Sequence, residues 1–167
     1  MKGRLLAIFV MLSALAAANL HAEEGDFFFA PEVGWSHFFS DNLEEGIYTG
    51  AHFAYDTSDH ISIDLIAFYG DNNGESGSPD LRYVLGGGGI SYKFLFGNVK
   101  PSFFAGATVA GIDFSNDDQK FRGGFYLGTA IEFYINKIIS LGISFKYLPL
   151  LKIADASLLG FRFGFEL

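Results

Sequence analysis

The chain has 167 residues, a formal net charge of −8, 50% hydrophobic residues, 20 phenylalanines and no cysteine. Its length fits one domain. The lack of cysteine excludes a disulfide-stapled scaffold and a lipid-anchored lipoprotein, and the acidic balance argues against nucleic acid as a partner.

The first residues have the pattern of a secretory signal peptide. Lys2 and Arg4 precede an apolar run, and small residues follow as far as Ala22. The apolar run is short for a helix that spans a membrane. The sequence therefore predicts a cleaved signal at residues 1–22 and a single domain at 23–167, whose net charge becomes −10 when the two cations are lost.

The rest of the chain alternates apolar and polar residues in eight short segments. A period of two places the two sets on opposite faces of a strand. We predict strands at residues 27–39, 47–56, 61–69, 82–94, 100–112, 125–134, 139–147 and 161–167. Loop and turn segments separate them, longer or more polar after the odd-numbered strands and tighter after the even-numbered ones.

These features predict an all-β fold, an eight-stranded antiparallel up-and-down transmembrane β-barrel in the cell outer membrane. The strand lengths suit the 9–11 residues that a tilted strand needs to cross the hydrocarbon. Short periplasmic turns and longer outer loops account for the alternating connections. The side chains expected to face lipid include Ile63, Leu65, Leu127, Ile143 and Phe163.

Two further expectations concern the strands themselves. Aromatic residues near strand ends predict interfacial girdles at both rims of the barrel. Pro31 lies inside the first strand of a barrel that has no free edge, so we expect it to mark a β-bulge.

Several segments resemble one known group of proteins. They are Pro31-Glu32-Val33-Gly34-Trp35, the strand with Gly50 and Tyr55, the run from Gly87 to Phe94, and the phenylalanine-rich last strand. Together they look like the small eight-stranded outer-membrane β-barrel superfamily, which includes the OmpA membrane domain and the OmpX- and OmpW-like proteins. The resemblance covers the whole mature chain and implies an architecture rather than an activity.

Charged and polar side chains occur at the inward positions of the strands. This predicted lumen cluster comprises Glu32, His52, Asp64, Lys93, Glu132, Lys146, Arg162 and Glu166. One interpretation is a path for ions or protons. We favour a structural plug, because eight strands enclose an interior that side chains just fill and buried charges must be paired.

The sequence offers little catalytic or cofactor chemistry. Gly86-Gly87-Gly88-Gly89 leads into a strand rather than a helix, so it does not fit a phosphate-binding loop. Ser36, His37, Ser40 and Asp41 lie at the outer end of the first strand and suggest a lipid A acyl hydrolase, but without a recognisable triad pattern. We therefore predict no catalytic residues, no cofactor and no metal.

The favoured function is a non-enzymatic, structural or envelope-interface role, with or without a narrow pore. The alternatives are a channel for hydrophobic solutes as in the OmpW-like proteins, a lipid A-modifying acyl hydrolase or transferase, and a soluble periplasmic lipocalin-like binding barrel. The expected partners are outer-membrane lipid and lipopolysaccharide, and the barrel-assembly machinery during insertion. We expect a monomer and no nucleic acid.

Overall fold

The computed structural model of the protein describes residues 25–40, 42–75, 78–114, 120–149 and 155–167. The predicted signal peptide lies outside these residues. The described residues form eight strands and contain no helix. The strands are β1 (Phe27–Phe38), β2 (Gly46–Asp56), β3 (Ile61–Asn72), β4 (Leu81–Lys93), β5 (Val99–Phe114), β6 (Lys120–Tyr134), β7 (Ile139–Pro149) and β8 (Asp155–Glu166).

Each strand pairs antiparallel with the next along the chain, and β8 pairs with β1 to close the barrel. The stagger of the pairing follows from the registers. A path that leaves β1 at Phe27 and crosses all eight strands returns to β1 at His37, ten residues further along. The strands are therefore inclined to the barrel axis, and an eight-stranded barrel has an interior just wide enough for side chains to fill. The predicted fold is confirmed.

Alternate side chains face outward and are apolar. The five positions predicted to face lipid are all exposed, with Leu127 at 55% and Ile63 at 53%. A soluble barrel would hold such side chains in its interior, so the lipocalin-like alternative is wrong for this chain. Because water does not favour this much exposed apolar surface, the exterior is suited to the hydrocarbon of a bilayer.

Aromatic side chains flank this apolar exterior near both ends of the strands. At one end the Phe29 ring stacks on Phe165 with centroids 6.4 Å apart. At the other end Trp35 contacts Phe161 at 6.0 Å and Phe39 contacts Tyr147 at 6.2 Å. These contacts agree with the predicted girdles. Among the described residues, no helix is long and apolar enough to cross a membrane.

The turns at one end of the barrel are short. Four or five residues join β2 to β3, β4 to β5 and β6 to β7. In the β4–β5 turn, Gly97 has a φ of 61°, a left-handed conformation that glycine adopts without strain. This turn is one of the tight connections that the sequence predicts after the even-numbered strands. At the opposite, outer end, the β1–β2 and β3–β4 connections are longer, with seven and eight residues; only part of this end is described.

Pro31 does not form a β-bulge, so that prediction is wrong. Residues 29 and 32 keep the same register with β8, which leaves no inserted residue between them. The ladder between β1 and β8 instead lacks the pairs at Ala30 and Pro31, while the ladder between β1 and β2 is continuous there. Proline has no backbone N–H to donate. The barrel accommodates it by leaving Ala30 and Pro31 unpaired with β8.

Candidate functional site: the barrel interior

The eight residues of the predicted lumen cluster separate into two groups at different depths. Six are buried in the middle of the barrel: Glu32, His52, Asp64, Glu132, Lys146 and Arg162. We call these six the central charge cluster. Lys93 and Glu166 are only partly buried and lie at the end of the barrel that carries the short turns. We call this end the periplasmic mouth.

Glu32 on β1 and Lys146 on β7 form a fully buried ion pair at the heart of the central charge cluster. The same carboxylate oxygen of Glu32 accepts hydrogen bonds from the Tyr48 hydroxyl and from Ser144 Oγ, the latter at 2.7 Å. Lys146 Nζ also lies 4.8 Å from the centre of the Phe68 ring, a cation–π contact. Both charges are thus compensated by contacts that hold their side chains in place.

Arg162 on β8 lies between two carboxylates of the central charge cluster, those of Glu132 and Glu32. Its Nη1 lies 3.1 Å from Glu132 Oε1 and its Nε lies 3.5 Å from Glu32 Oε2. The guanidinium is only 1% exposed, and Glu132 is further held by Ser140 Oγ at 3.1 Å. Arg162 therefore connects β1, β6 and β8 through one desolvated cation.

His52 on β2 lies between Arg162 and Asp64. Arg162 Nη2 contacts His52 Nδ1, and a guanidinium can only donate. Nδ1 is therefore the acceptor, and the proton of the neutral imidazole is on Nε2, which faces Asp64 Oδ1 at 3.3 Å. Asp64 also accepts a hydrogen bond from Ser91 Oγ at 3.1 Å.

Two glycines make room for this network. A Cβ at Gly160 would lie 2.1 Å from the Tyr48 hydroxyl and 2.6 Å from Glu32 Oε1. A Cβ at Gly142 would lie 2.4 Å from Glu132 Oε2. The inward side chains of Glu132 and Glu32 therefore rest against bare backbone on the adjacent strands, β7 and β8.

The periplasmic mouth holds two separate ion pairs. Lys93 binds Asp56, and Lys100 binds Glu166 at 3.0 Å. Lys93 was predicted as part of the lumen cluster, but it pairs with Asp56 rather than with a central carboxylate, because the register of β4 against β3 places it beside the end of the β2–β3 turn. Sequence analysis did not include Asp56 and Lys100 in the cluster, although both occupy inward-facing alternate positions at the ends of their strands.

Apart from the buried Ser36–Asn72 pair, the outer half of the interior is mostly apolar, a feature that sequence analysis missed. Eight buried side chains fill it: Phe38, Leu81, Tyr83, Leu85, Ala110, Ile112, Leu148 and Leu158. We call this set the apolar plug. In the sequence, these residues occupy the alternate strand positions that face the lumen, and this pattern could have predicted the apolar layer. A close-packed apolar layer of this kind excludes water from the outer end of the barrel.

The β1–β2 and β3–β4 connections cover the apolar plug. Leu43 packs on it and forms a bridge with Gly74. Asn72 Nδ2 donates to the carbonyl oxygens of Glu44, at 2.9 Å, and Ser36, at 3.1 Å. These contacts attach the described residues of the first outer connection to β1 and β3, and we call these residues together with residues 73–75 the outer cap.

Ser36 and His37, two of the four residues suggested for acyl hydrolysis, lie on opposite faces of β1. Ser36 points into the lumen, where its Oγ donates to Asn72 Oδ1 at 2.8 Å. His37 faces the lipid side and contacts the Phe39 ring edge-on at 5.1 Å. Asp41 lies outside the described residues. A nucleophile and base on opposite faces of one strand cannot act together.

No family model and no curated protein matches the sequence. Solved structures do match the fold. The attachment invasion locus protein Ail of Yersinia pestis gives a TM-score of 0.66 at 12% identity and covers 86% of this chain and 99% of its own. Neisserial surface protein A gives 0.65 at 15% identity, covering 85% and 99%. The outer-membrane enzyme PagL gives 0.54 at 12% identity, covering 82% and 97%.

The fold is that of the small eight-stranded outer-membrane β-barrels. The apolar exterior agrees with the outer-membrane location of these neighbours. Because the neighbours at these identities include an enzyme and a surface protein, the fold alone does not assign an activity.

Proposed function

We propose that this protein is a non-enzymatic, monomeric barrel of the outer membrane whose interior is closed, and that it acts in the envelope through its surfaces. The single observation that carries this proposal is the occupation of the lumen at two levels. The central charge cluster fills the middle of the barrel, and the apolar plug fills the outer half.

At the central level, a solute would have to displace paired charges. Glu32, Lys146 and Arg162 have side chains that are 0–1% exposed. Separating such a pair leaves an uncompensated buried charge, at a cost of about 3–5 kcal/mol. The ring of Tyr126, fully buried beside Phe104, narrows the same region further.

At the outer level, a polar solute would have to enter a layer that offers it few hydrogen bonds. Phe38 and Tyr83 meet edge-to-face with centroids 5.4 Å apart, and Leu81 and Ile112 are completely buried. Passage of sugars or peptides would require this layer to unpack. The two barriers differ in chemistry, so no one class of solute crosses both easily.

With the lumen closed, the lipid-facing exterior and the outer cap remain for function. The exterior is suited to outer-membrane lipid and lipopolysaccharide. The cap exposes Glu44, Glu45 and Glu75, which gives the outer face an acidic character. We propose a structural role at this interface, with insertion by the barrel-assembly machinery.

Liposome swelling with a disaccharide tests the proposal. Vesicles that contain the barrel should swell no faster than protein-free vesicles, whereas vesicles with a general-diffusion porin should swell rapidly. Swelling at a porin-like rate would refute the closed lumen. The non-enzymatic part has its own test: overexpression should leave the mass profile of lipid A unchanged, and loss of an acyl chain would contradict it.

A further inference from the structure

Two of the three short turns at the periplasmic mouth are apolar and exposed. The β4–β5 turn, residues 94–98, begins with the sequence Phe-Leu-Phe, and Phe96 is 65% exposed. In the β6–β7 turn, Ile135 is 65% exposed and Ile138 is 55% exposed. The β2–β3 turn, residues 57–60, is polar instead and consists of Thr, Ser, Asp and His. We call the apolar side chains of the first two turns the apolar foot: Phe94, Leu95, Phe96, Ile135 and Ile138.

The apolar foot continues the lipid-facing exterior of the barrel. The ring of Phe96 stacks on that of Phe94, with centroids 6.4 Å apart and planes 5° from parallel. Phe94 in turn meets Phe103 edge-to-face at 6.0 Å, and Phe103 is an exposed residue on the outer side of β5. The backbone N–H of Tyr134 donates to the carbonyl oxygen of Asn98 at 2.8 Å and joins the two turns. One apolar surface therefore runs from the strands to the tips of the turns.

Backbone groups of both turns form hydrogen bonds within the turn itself. In the β4–β5 turn, the N–H of Phe96 donates to the carbonyl oxygen of Val99 at 3.0 Å. In the β6–β7 turn, Asn136 Oδ1 accepts from the N–H groups of Ile138 and Ile139, each at 2.8 Å. Backbone groups that enter a bilayer need such partners, because hydrocarbon supplies none. The two turns thus have the internal bonding that contact with lipid requires.

A cation accompanies the apolar side chains. The exposed Lys137 lies between Ile135 and Ile138 along the chain. A lysine on an apolar surface lays its methylene groups on that surface and keeps its ammonium group in polar surroundings. Such a cation is attracted to the phosphates of anionic lipids. Apolar tips with an adjacent cation therefore match a lipid leaflet, in which headgroup phosphates lie next to acyl chains.

We propose that the apolar foot is a lipid-binding surface that inserts the β4–β5 and β6–β7 turns into the periplasmic leaflet of the membrane. The polar β2–β3 turn stays in water, so the barrel is anchored from one side of its periplasmic end. Continuity with the lipid-facing exterior favours lipid over a second protein as the occupant. This contact requires only the membrane location of the barrel and holds whether or not the lumen is closed.

Tryptophan fluorescence with two quenchers tests the proposal. Trp35→Phe removes the one native tryptophan, and Phe96→Trp then places the reporter in the apolar foot. Ser58→Trp, in the polar β2–β3 turn, is the matched control. The variants are placed in lipid nanodiscs, which leave both faces of the membrane open to solvent, and the mobility of unheated samples in electrophoresis confirms that each has folded.

The tryptophan at position 96 should emit at shorter wavelength, lose intensity when the lipid carries brominated acyl chains, and resist acrylamide in the water. The tryptophan at position 58 should show the reverse. Ile135→Trp repeats the measurement in the second turn, so the test does not depend on the folding of one variant. Equal acrylamide quenching at positions 58, 96 and 135 would overturn the proposal. Protection from both quenchers in discs that hold two barrels would assign the surface to a second copy and would also overturn it.

Discussion

Replacing Arg162 with glutamine should destabilise the barrel far more than any exposed charge deletion. The guanidinium is 1% exposed and lies within 3.5 Å of carboxylate oxygens of both Glu32 and Glu132. Glutamine keeps hydrogen-bonding capacity but removes the cation, so Glu132 loses its only ion-pair partner among the described residues. Removal of one partner from a buried pair costs about 3–5 kcal/mol, because the remaining charge stays desolvated.

Arg82→Gln is the matched control. Arg82 Nε also lies 3.3 Å from a carboxylate, that of Asp71, but the two side chains are 62% and 44% exposed. An exposed pair contributes about 0–1 kcal/mol. The same substitution thus removes the same kind of contact at two levels of hydration, and the difference between the two variants measures the effect of burial.

The assay is reversible urea unfolding in lipid vesicles. Fluorescence of Trp35, the one tryptophan of the chain, reports its transfer from lipid to water, and the mobility of unheated samples in electrophoresis reports the folded barrel. The double variant Arg162→Gln with Glu132→Gln should recover part of the loss, because it removes the unpaired charge. If Arg162→Gln and Arg82→Gln both cost less than about 1 kcal/mol, the desolvated ion-pair account of the interior is refuted.

Three other variants probe the exterior, the lumen and the outer cap. Leu127→Arg places a charge on the lipid face and should lower the unfolding free energy in vesicles by about 2–4 kcal/mol; an unchanged value would contradict the outward assignment. Gly160→Ala forces a Cβ against Tyr48 and should destabilise, whereas Gly88→Ala, whose nearest neighbour would lie 3.4 Å away, should be tolerated; equal unfolding midpoints would exclude the steric argument. Asn72→Ala leaves two carbonyl oxygens without their donor, should cost about 1–3 kcal/mol and should speed proteolysis of the first outer connection, so unchanged cleavage would mean that the cap is held elsewhere.

Much of the fold follows from the sequence alone, for a simple geometric reason. In a strand the side-chain period is two, so alternation in segments such as residues 161–167 determines both the secondary structure and the face of each side chain. Glu32, Asp64 and Arg162 were assigned to the interior on this basis, and the structure buries all three. We predicted a closed barrel because phenylalanine-rich strands with a free edge would pair with other chains.

The pairing of the interior charges was decided by the tertiary structure. Parity says that a side chain points inward but not at which depth it meets its neighbours, since depth depends on the register of all eight strands. The ten-residue stagger brings Lys146 to Glu32 across the lumen and leaves Lys93 at the mouth with Asp56. It also gathers Leu81, Leu148 and other inward apolar residues from separate strands into one layer. Contacts between residues more than a hundred positions apart, such as Ser144 with Glu32, exist only once the barrel has closed.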